Sequence, residues 1–206
     1  MFIYTSRLVL RPADRGDLDD LVRLDADPEV MRYVSGGIPT PRDVIENWIL
    51  PRAHDYLRAG SGGLWSVVDR VDGRFVGWLS LRTPRHSSCS ELELSYRLRR
   101  EWWGLGMASE AATALVDMSF REHAAQRLFA STTVANVASR RVMEKIGMRL
   151  SGVHTSDSTT IGAHGDEVEY ELLRSQWELV QSEMSQWEIG QCGWIRDDRR
   201  LGGISA

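Results

Sequence analysis

Lysine is almost missing from this 206-residue chain: Lys145 is its one lysine, and arginine supplies the rest of the 25 Lys+Arg residues. We read that skew as genome composition rather than mechanism. Cysteine is scarce too. Cys89 and Cys192 lie far apart, which excludes a disulfide framework, and two free thiols fit a reduced, cytoplasmic setting. There is no run of about 18 apolar residues to cross a bilayer. The opening Met1 to Arg7 lacks the basic start, apolar core and small-residue site of a secretory leader, so none is expected. There is no positive surplus either. A net charge of −4 argues against nucleic acid, whose binding rests largely on phosphate neutralisation, and leaves any anionic ligand to a local device. At 42% hydrophobic, the length suits one ordinary domain with a real core.

Along the chain, Arg7 to Arg11 alternates polar and apolar residues as a strand does, and Pro12 ends it. A short helix capped near Asp17 carries Leu18, Leu21 and Val22, with a second piece after Pro28. Thr40-Pro41-Arg42-Asp43 reads as a helix start with Thr as cap and Pro in the first position. That helix should present Val44, Ile45, Trp48 and Ile49 as its apolar face and end or kink at Pro51. Two strands, 64–68 and 75–81, join through Asp72-Gly73. In a third, 91–98, Leu92, Leu94, Tyr96 and Leu98 share one face while Glu91, Glu93 and Ser95 share the other. A helix over 107–122, a strand over 128–134, a helix from an Asn136 cap to Ile146 and a strand pair at 148–153 and 168–173 complete the pattern. The class is α+β, or mixed α/β. After Ser175 the pattern weakens into an extension with Trp177, Trp187 and Trp194 among charges.

The informative stretch is Trp102-Trp103-Gly104-Leu105-Gly106-Met107-Ala108-Ser109-Glu110-Ala111, where a strand runs through two glycines into a small-residue helix. Glycine permits positive φ and close approach of a ligand. The first helical N–H groups have no internal partner and carry the positive dipole end, so they can cradle an anion. Gly-x-Gly alone is a common tight turn. The Walker pattern is absent, and the third glycine of a dinucleotide fingerprint would fall at Ser109.

The segment resembles motif A of the GNAT N-acetyltransferases. It is closest to the form Tyr/Trp-Trp-Gly-x-Gly-x-Ala-x-Glu-Ala of the ribosomal-protein N-terminal acetyltransferase branch, and departs at Glu101, where the motif has Gln or Arg. Asn136 to Met148 is similar to that branch's Asn-x-x-Ser-x-x-Val-x-Glu-Lys-x-Gly-Phe, with Met148 for Phe. Thr5 to Pro12 and Asp166 to Trp177 match the branch as well.

The resemblance implies the GNAT fold over residues 1–177: a central mixed, mostly antiparallel sheet with a V-shaped splay between two parallel strands, flanked by helices. Residues 178–206 would form an extension packing on the domain or on a partner subunit, which makes a homodimer an expectation. The implied co-substrate is acetyl-CoA, with no metal. Its diphosphate would meet the amides of Trp103, Gly104, Leu105, Gly106, Met107 and Ala108, and its pantetheine would pair near Leu98 and contact Asn136 and Ser139. Direct attack by a primary amine in a ternary complex then leaves two proton tasks. The tyrosine that many members use as acid is replaced by Met143, and the branch resembled places a serine at the position of Ser139. Ser139 is therefore the candidate acid, although a helix-start serine can equally bond backbone, and water could serve the thiolate. Glu93 and then Glu91 are the candidate bases, against a solvated strand face as the plainer reading. Asp166 and Glu167 are weaker candidates for drawing in a cationic amine. His86-Ser87-Ser88-Cys89 has a suggestive spacing but no second pair of ligands. The acceptor is either a protein α-amine or a small amine. A CoA-binding module without turnover is the alternative, as is another nucleotide-binding enzyme.

Overall fold

The computed structural model describes residues 2–84, 90–155 and 166–192, the side chains as far as Glu183. By its internal contacts the chain divides into units of residues 1–174 and 175–206. The first holds one eight-stranded sheet in the order β1-β2-β3-β4-β5-β6-β8-β7. Its strands are β1 (Ile3–Tyr4), β2 (Leu8–Pro12), β3 (Gly62–Asp69), β4 (Phe75–Arg82), β5 (Glu91–Leu98), β6 (Arg127–Thr133), β7 (Arg149–His154) and β8 (Glu167–Leu173). Neighbours run antiparallel except β5 and β6, which run parallel.

The alternation read from sequence is realised: Leu8 and Leu10, Leu79 and Leu81, and Leu92 and Leu94 are all buried. Between β5 and β6, helix α5 (Met107–Glu122) makes the crossover that a parallel pair requires. Its alanines Ala111 and Ala112 are fully buried with Leu115, so a small-residue face lets the helix lie close in the core. A second core cluster sits under α1 (Leu18–Asp25), where Leu18, Leu21 and Leu24 meet Ile45, Leu50, Ala53, Leu64 and Phe75. Asp27 caps α2 (Pro28–Ser35) from the residue before its proline. Asn136 caps α6 (Val137–Lys145), and Gly147 follows with φ +88°.

Pro41, not the expected Thr40, is the cap residue of α3 (Arg42–Val44), and of the two outcomes expected at Pro51, an end or a kink, the helix does not end. The chain instead passes through a π-helical turn at Ile45–Ile49, closed by the Leu50 N–H on the Ile45 carbonyl, and continues as α4 (Leu50–Arg58). Proline lacks the N–H that an α-helix would aim at the fourth residue back, and its ring crowds that carbonyl. One widened turn absorbs both defects. It also shifts the helical phase, so the buried residues become Ile45, Leu50 and Ala53, while Trp48 (57% exposed) and Ile49 swing outward. Beyond β8, the weak pattern after Ser175 is helical: α7 runs Arg174–Cys192.

Candidate active site

The turn after β5 is held in shape from both sides. The Trp103 indole Nε1 donates to the Leu98 carbonyl at 2.8 Å, folding the turn back on the strand end. Gly104 and Gly106 take φ +75° and +78°, left-handed values that side-chain-bearing residues resist. The first α5 amide bonded back into the turn is that of Glu110, on the Gly106 carbonyl at 3.0 Å. Gly106 is the cap residue and has no side chain, so the amides of Met107 and Ala108 at the helix start are not capped by it.

On the far side lies a latch that the sequence did not disclose. Glu110 accepts from the Thr5 and Ser6 hydroxyls, the Arg7 N–H and the Arg7 Nε, while Arg7 Nη1 donates to the Leu105 carbonyl at 2.9 Å. Partial burial pushes the Glu110 carboxyl up, but these four donors outweigh it and bring it down to about 2. Thr5-Ser6-Arg7 and the Glu of the turn motif, 103 residues apart at Arg7 and Glu110, are thus one contact.

Parallel pairing of β5 with β6 runs through Glu91↔Arg127, Leu92↔Leu128 and Glu93↔Phe129 and stops there. Beyond that vertex the strands continue, unpaired with each other, to Leu98 and Thr133: this is the expected V. The Arg99 N–H bonds the Val76 carbonyl, so alternation along the strand turns the Leu98 N–H away from β4, to the open side. A cleft of about 720 Å³ is lined from one arm by Leu94, Tyr96 and Arg97, and from the other by Ser131, Thr132 and Thr133. The Thr133 hydroxyl is buried and has no hydrogen-bond partner among the described residues. A polar atom orphaned in this way is costly unless something else meets it.

Across the mouth, Ser139 Oγ lies 2.9 Å from the Tyr96 hydroxyl, which also donates to the Ser139 carbonyl at 3.0 Å. Burial pushes the Tyr96 phenol up to about 12, with the Ser139 hydrogen bond pulling the other way. Tyr96 was grouped with the leucines of β5. The available signal was a lone hydroxyl in that row, but nothing said what it would face. Asn136 is committed to structure: its Oδ1 accepts from the Ser139 N–H at 3.2 Å and its Nδ2 donates to Thr132 at 3.0 Å. Met143 is buried and lines the cleft beside them.

The acidic candidates separate. Glu93 lines the cleft at the vertex, gripped by Arg82 through both carboxylate oxygens at 2.9 Å. Glu91 is not among the lining residues and stands 3.7 Å from Arg127, whose guanidinium also holds Glu169 and Glu171 and ties β6 to β8. Glu167 lines the cleft from β8, whereas Asp166 does not. The His86 to Cys89 spacing lies outside the described residues.

The Acetyltransferase (GNAT) domain model matches residues 7–149. The chain belongs to the GNAT acetyltransferase family. It is 29% identical to the FsC-acetyl coenzyme A-N(2)-transacetylase of Aspergillus fumigatus over 94% of this chain and 86% of that one. It is 31% identical to the putative ribosomal N-acetyltransferase YdaF of Bacillus subtilis, over 68% of this chain and 75% of that one, in line with the ribosomal-protein branch read from the motifs. Its fold matches RimL, a ribosomal L7/L12 alpha-N-protein acetyltransferase solved with coenzyme A, with TM-score 0.72 and 18% identity over 84% of this chain and 98% of that one. As a GNAT member the protein is an acetyl-CoA-dependent N-acetyltransferase, moving an acetyl group from acetyl-CoA to an amine. The local chemistry suits that co-substrate: open space at Gly104, amides at a helix start and an orphaned hydroxyl in the V.

Proposed function

We propose that this GNAT enzyme acetylates a primary amine by direct attack within a ternary complex. One observation carries the reading: β5 and β6 part beyond Glu93 and Phe129, and a cleft lined from both arms enters the gap. Acetyl-CoA supplies the thioester. The Trp103 N–H is taken by the Arg100 carbonyl at 3.0 Å, which corrects the expectation for that residue, so the amides of Gly104 to Ala108 hold the diphosphate and the outward N–H of Leu98 donates to pantetheine or to the thioester carbonyl. An oriented donor of that kind is worth roughly 3–4 kcal/mol in the transition state. Glu93, fixed by Arg82 at the vertex, receives the ammonium and accepts its proton, directly or through water. Glu91 is assigned to the Arg127 cluster.

For the departing sulfur, Ser139 acts with Tyr96 rather than alone. A phenol at about 12 keeps its proton throughout the neutral range, so Tyr96 orients Ser139 and sustains a hydrogen bond. Cytoplasmic residence, and a homodimer through the extension after residue 177, belong to the same proposal. Light scattering of the purified chain tests the second.

The decisive experiment pairs calorimetry with thiol release. Acetyl-CoA should give binding heat, ATP and NAD none, and a panel of amines should release free CoA thiol. Binding of acetyl-CoA with no release for any amine would overturn the transfer reading. Heat from ATP or NAD alone would overturn the assignment of the turn.

A further inference from the structure

Three arginines, Arg52, Arg82 and Arg97, line the cleft, and two of them are neutralised. Arg82 is held by Glu93, and Arg97 Nη1 lies 2.8 and 2.7 Å from the two oxygens of the buried Asp25. Arg52 has no acidic partner among the described residues. Its guanidinium stacks on the Trp48 ring, 4.6 Å from the centroid. The π turn swings that ring and Ile49 out of the core and into the cleft wall. Glu167, on the opposite arm, likewise has no basic partner among the described residues. The cleft therefore offers one uncommitted cation, one uncommitted anion and a flat aromatic wall.

A polyamine would call for a surplus of free carboxylates. Here Asp25 is held by Arg97, and Glu93, shared with Arg82, serves the reacting amine, which leaves Glu167 as the one carboxylate of the cleft, among the described residues, for any further ammonium. A guanidinium fixed against an indole is instead pre-organised for a carboxylate, which it can bind through two parallel hydrogen bonds. The widened turn that accommodates Pro51 leaves Trp48 exposed on the cleft wall, and such turns recur at functional sites.

Resting on the transfer reading above, we propose that the acceptor is a small amino acid-like molecule. It carries a carboxylate that Arg52 binds and a flat or apolar body that lies against Trp48, while its amine points into the V. Arg52 is a specificity-determining residue that leaves acetyl-CoA untouched.

The test is a thiol-release screen of amino acids whose amine stands one to six carbons from the carboxylate, with and without an aromatic ring. Each is run beside its carboxamide, with spermidine and an N-terminal peptide amide for comparison. At the best spacing the free acid should exceed its amide in kcat/KM by about tenfold or more, the scale of one charge-assisted hydrogen bond pair. Arg52→Ala should erase that preference through the acceptor KM, leaving the amide rate and the acetyl-CoA KM unchanged, and Arg52→Lys should restore part of it. Acids and amides reacting alike, or Arg52→Ala lowering both equally, would overturn the acceptor assignment while the transfer reading stands. Acetyl-CoA binding with no amine turned over would remove both.

Discussion

At the glycine turn the protein offers main chain: Gly104 and Gly106 in left-handed conformations, the first amides of α5, and side chains such as Trp103 and Arg7 that act by fixing the backbone. Under α1 to α4 it offers side chains: Trp48, Arg52, Tyr56 and the paired charges of Asp25 and Glu93. Backbone recognition suits a ligand that never changes. Side-chain recognition can be rewritten one residue at a time without touching the sheet. On the reading proposed above, a fixed donor and a variable acceptor are thereby served by two kinds of surface, the turn after β5 and the wall of the cleft, with β5 running between them.

The sharpest way to break that contrast is Gly104→Val. Beyond its two chain neighbours, no atom of the described residues lies within 4 Å of the position a Cβ would take, so the protein can accommodate the side chain sterically. The φ of +75° is what a β-branched residue resists, and the added bulk stands where the ligand approaches. Acetyl-CoA affinity should fall about a hundredfold, with circular dichroism unchanged, since one strained left-handed residue costs roughly 1–3 kcal/mol before any lost contact. Normal affinity by calorimetry would place the diphosphate elsewhere.

A smaller effect is expected at the junction of the two ends. Tyr96→Phe and Ser139→Ala should each lower kcat about tenfold, less than the roughly 10²–10⁴-fold of a full general acid because a thiolate leaves readily and water can serve it, while the acetyl-CoA Kd stays near the wild-type value. If the Tyr96–Ser139 pair works as a unit, the double variant should be little worse than either single one. Additive losses would separate them.

The same contrast explains what could be read in advance. A backbone cradle needs glycine where φ is positive and small residues where the helix packs, so Gly104, Gly106, Ala111 and Ala112 were visible as a pattern. Strand alternation and the Asn136 cap were legible for the same local reason. The acceptor end depends on which side chains meet across long separations, such as Arg97 reaching Asp25 over 72 residues, and sequence spacing does not encode that. The π turn was hidden twice: Pro51 signalled a break, and the apolar run Ile45, Trp48, Ile49 fitted an ordinary α-helical face. Tyr96 and the Arg7–Glu110 latch were present as letters, but each meaning lay in a partner 43 or 103 residues away.

That latch yields the two mildest predictions. Arg7→Ala removes the donor on the Leu105 carbonyl and one side of the Glu110 pair, so the turn loosens without losing its glycines. The acetyl-CoA KM should rise several-fold at constant kcat and constant acceptor KM, the mark of lost ground-state binding. An effect confined to the acceptor KM would sever the latch from the cofactor end. Glu110→Gln carries a pH signature. The folded carboxyl lies at about 2 against an ordinary 4.5, so its stabilising effect is complete above the ordinary value and disappears as pH falls through the folded one. Wild type should therefore exceed Glu110→Gln in Tm at pH 7, and the gap should close between about pH 4.5 and 2. Every other carboxyl is common to the two proteins, so the difference isolates this one group. Because the Arg7 partner is half exposed, added salt should narrow the gap at pH 7 as well. A gap that stays constant down to pH 2 would mean that Glu110 acts through shape alone, and that the charge of the latch has no part in holding the turn.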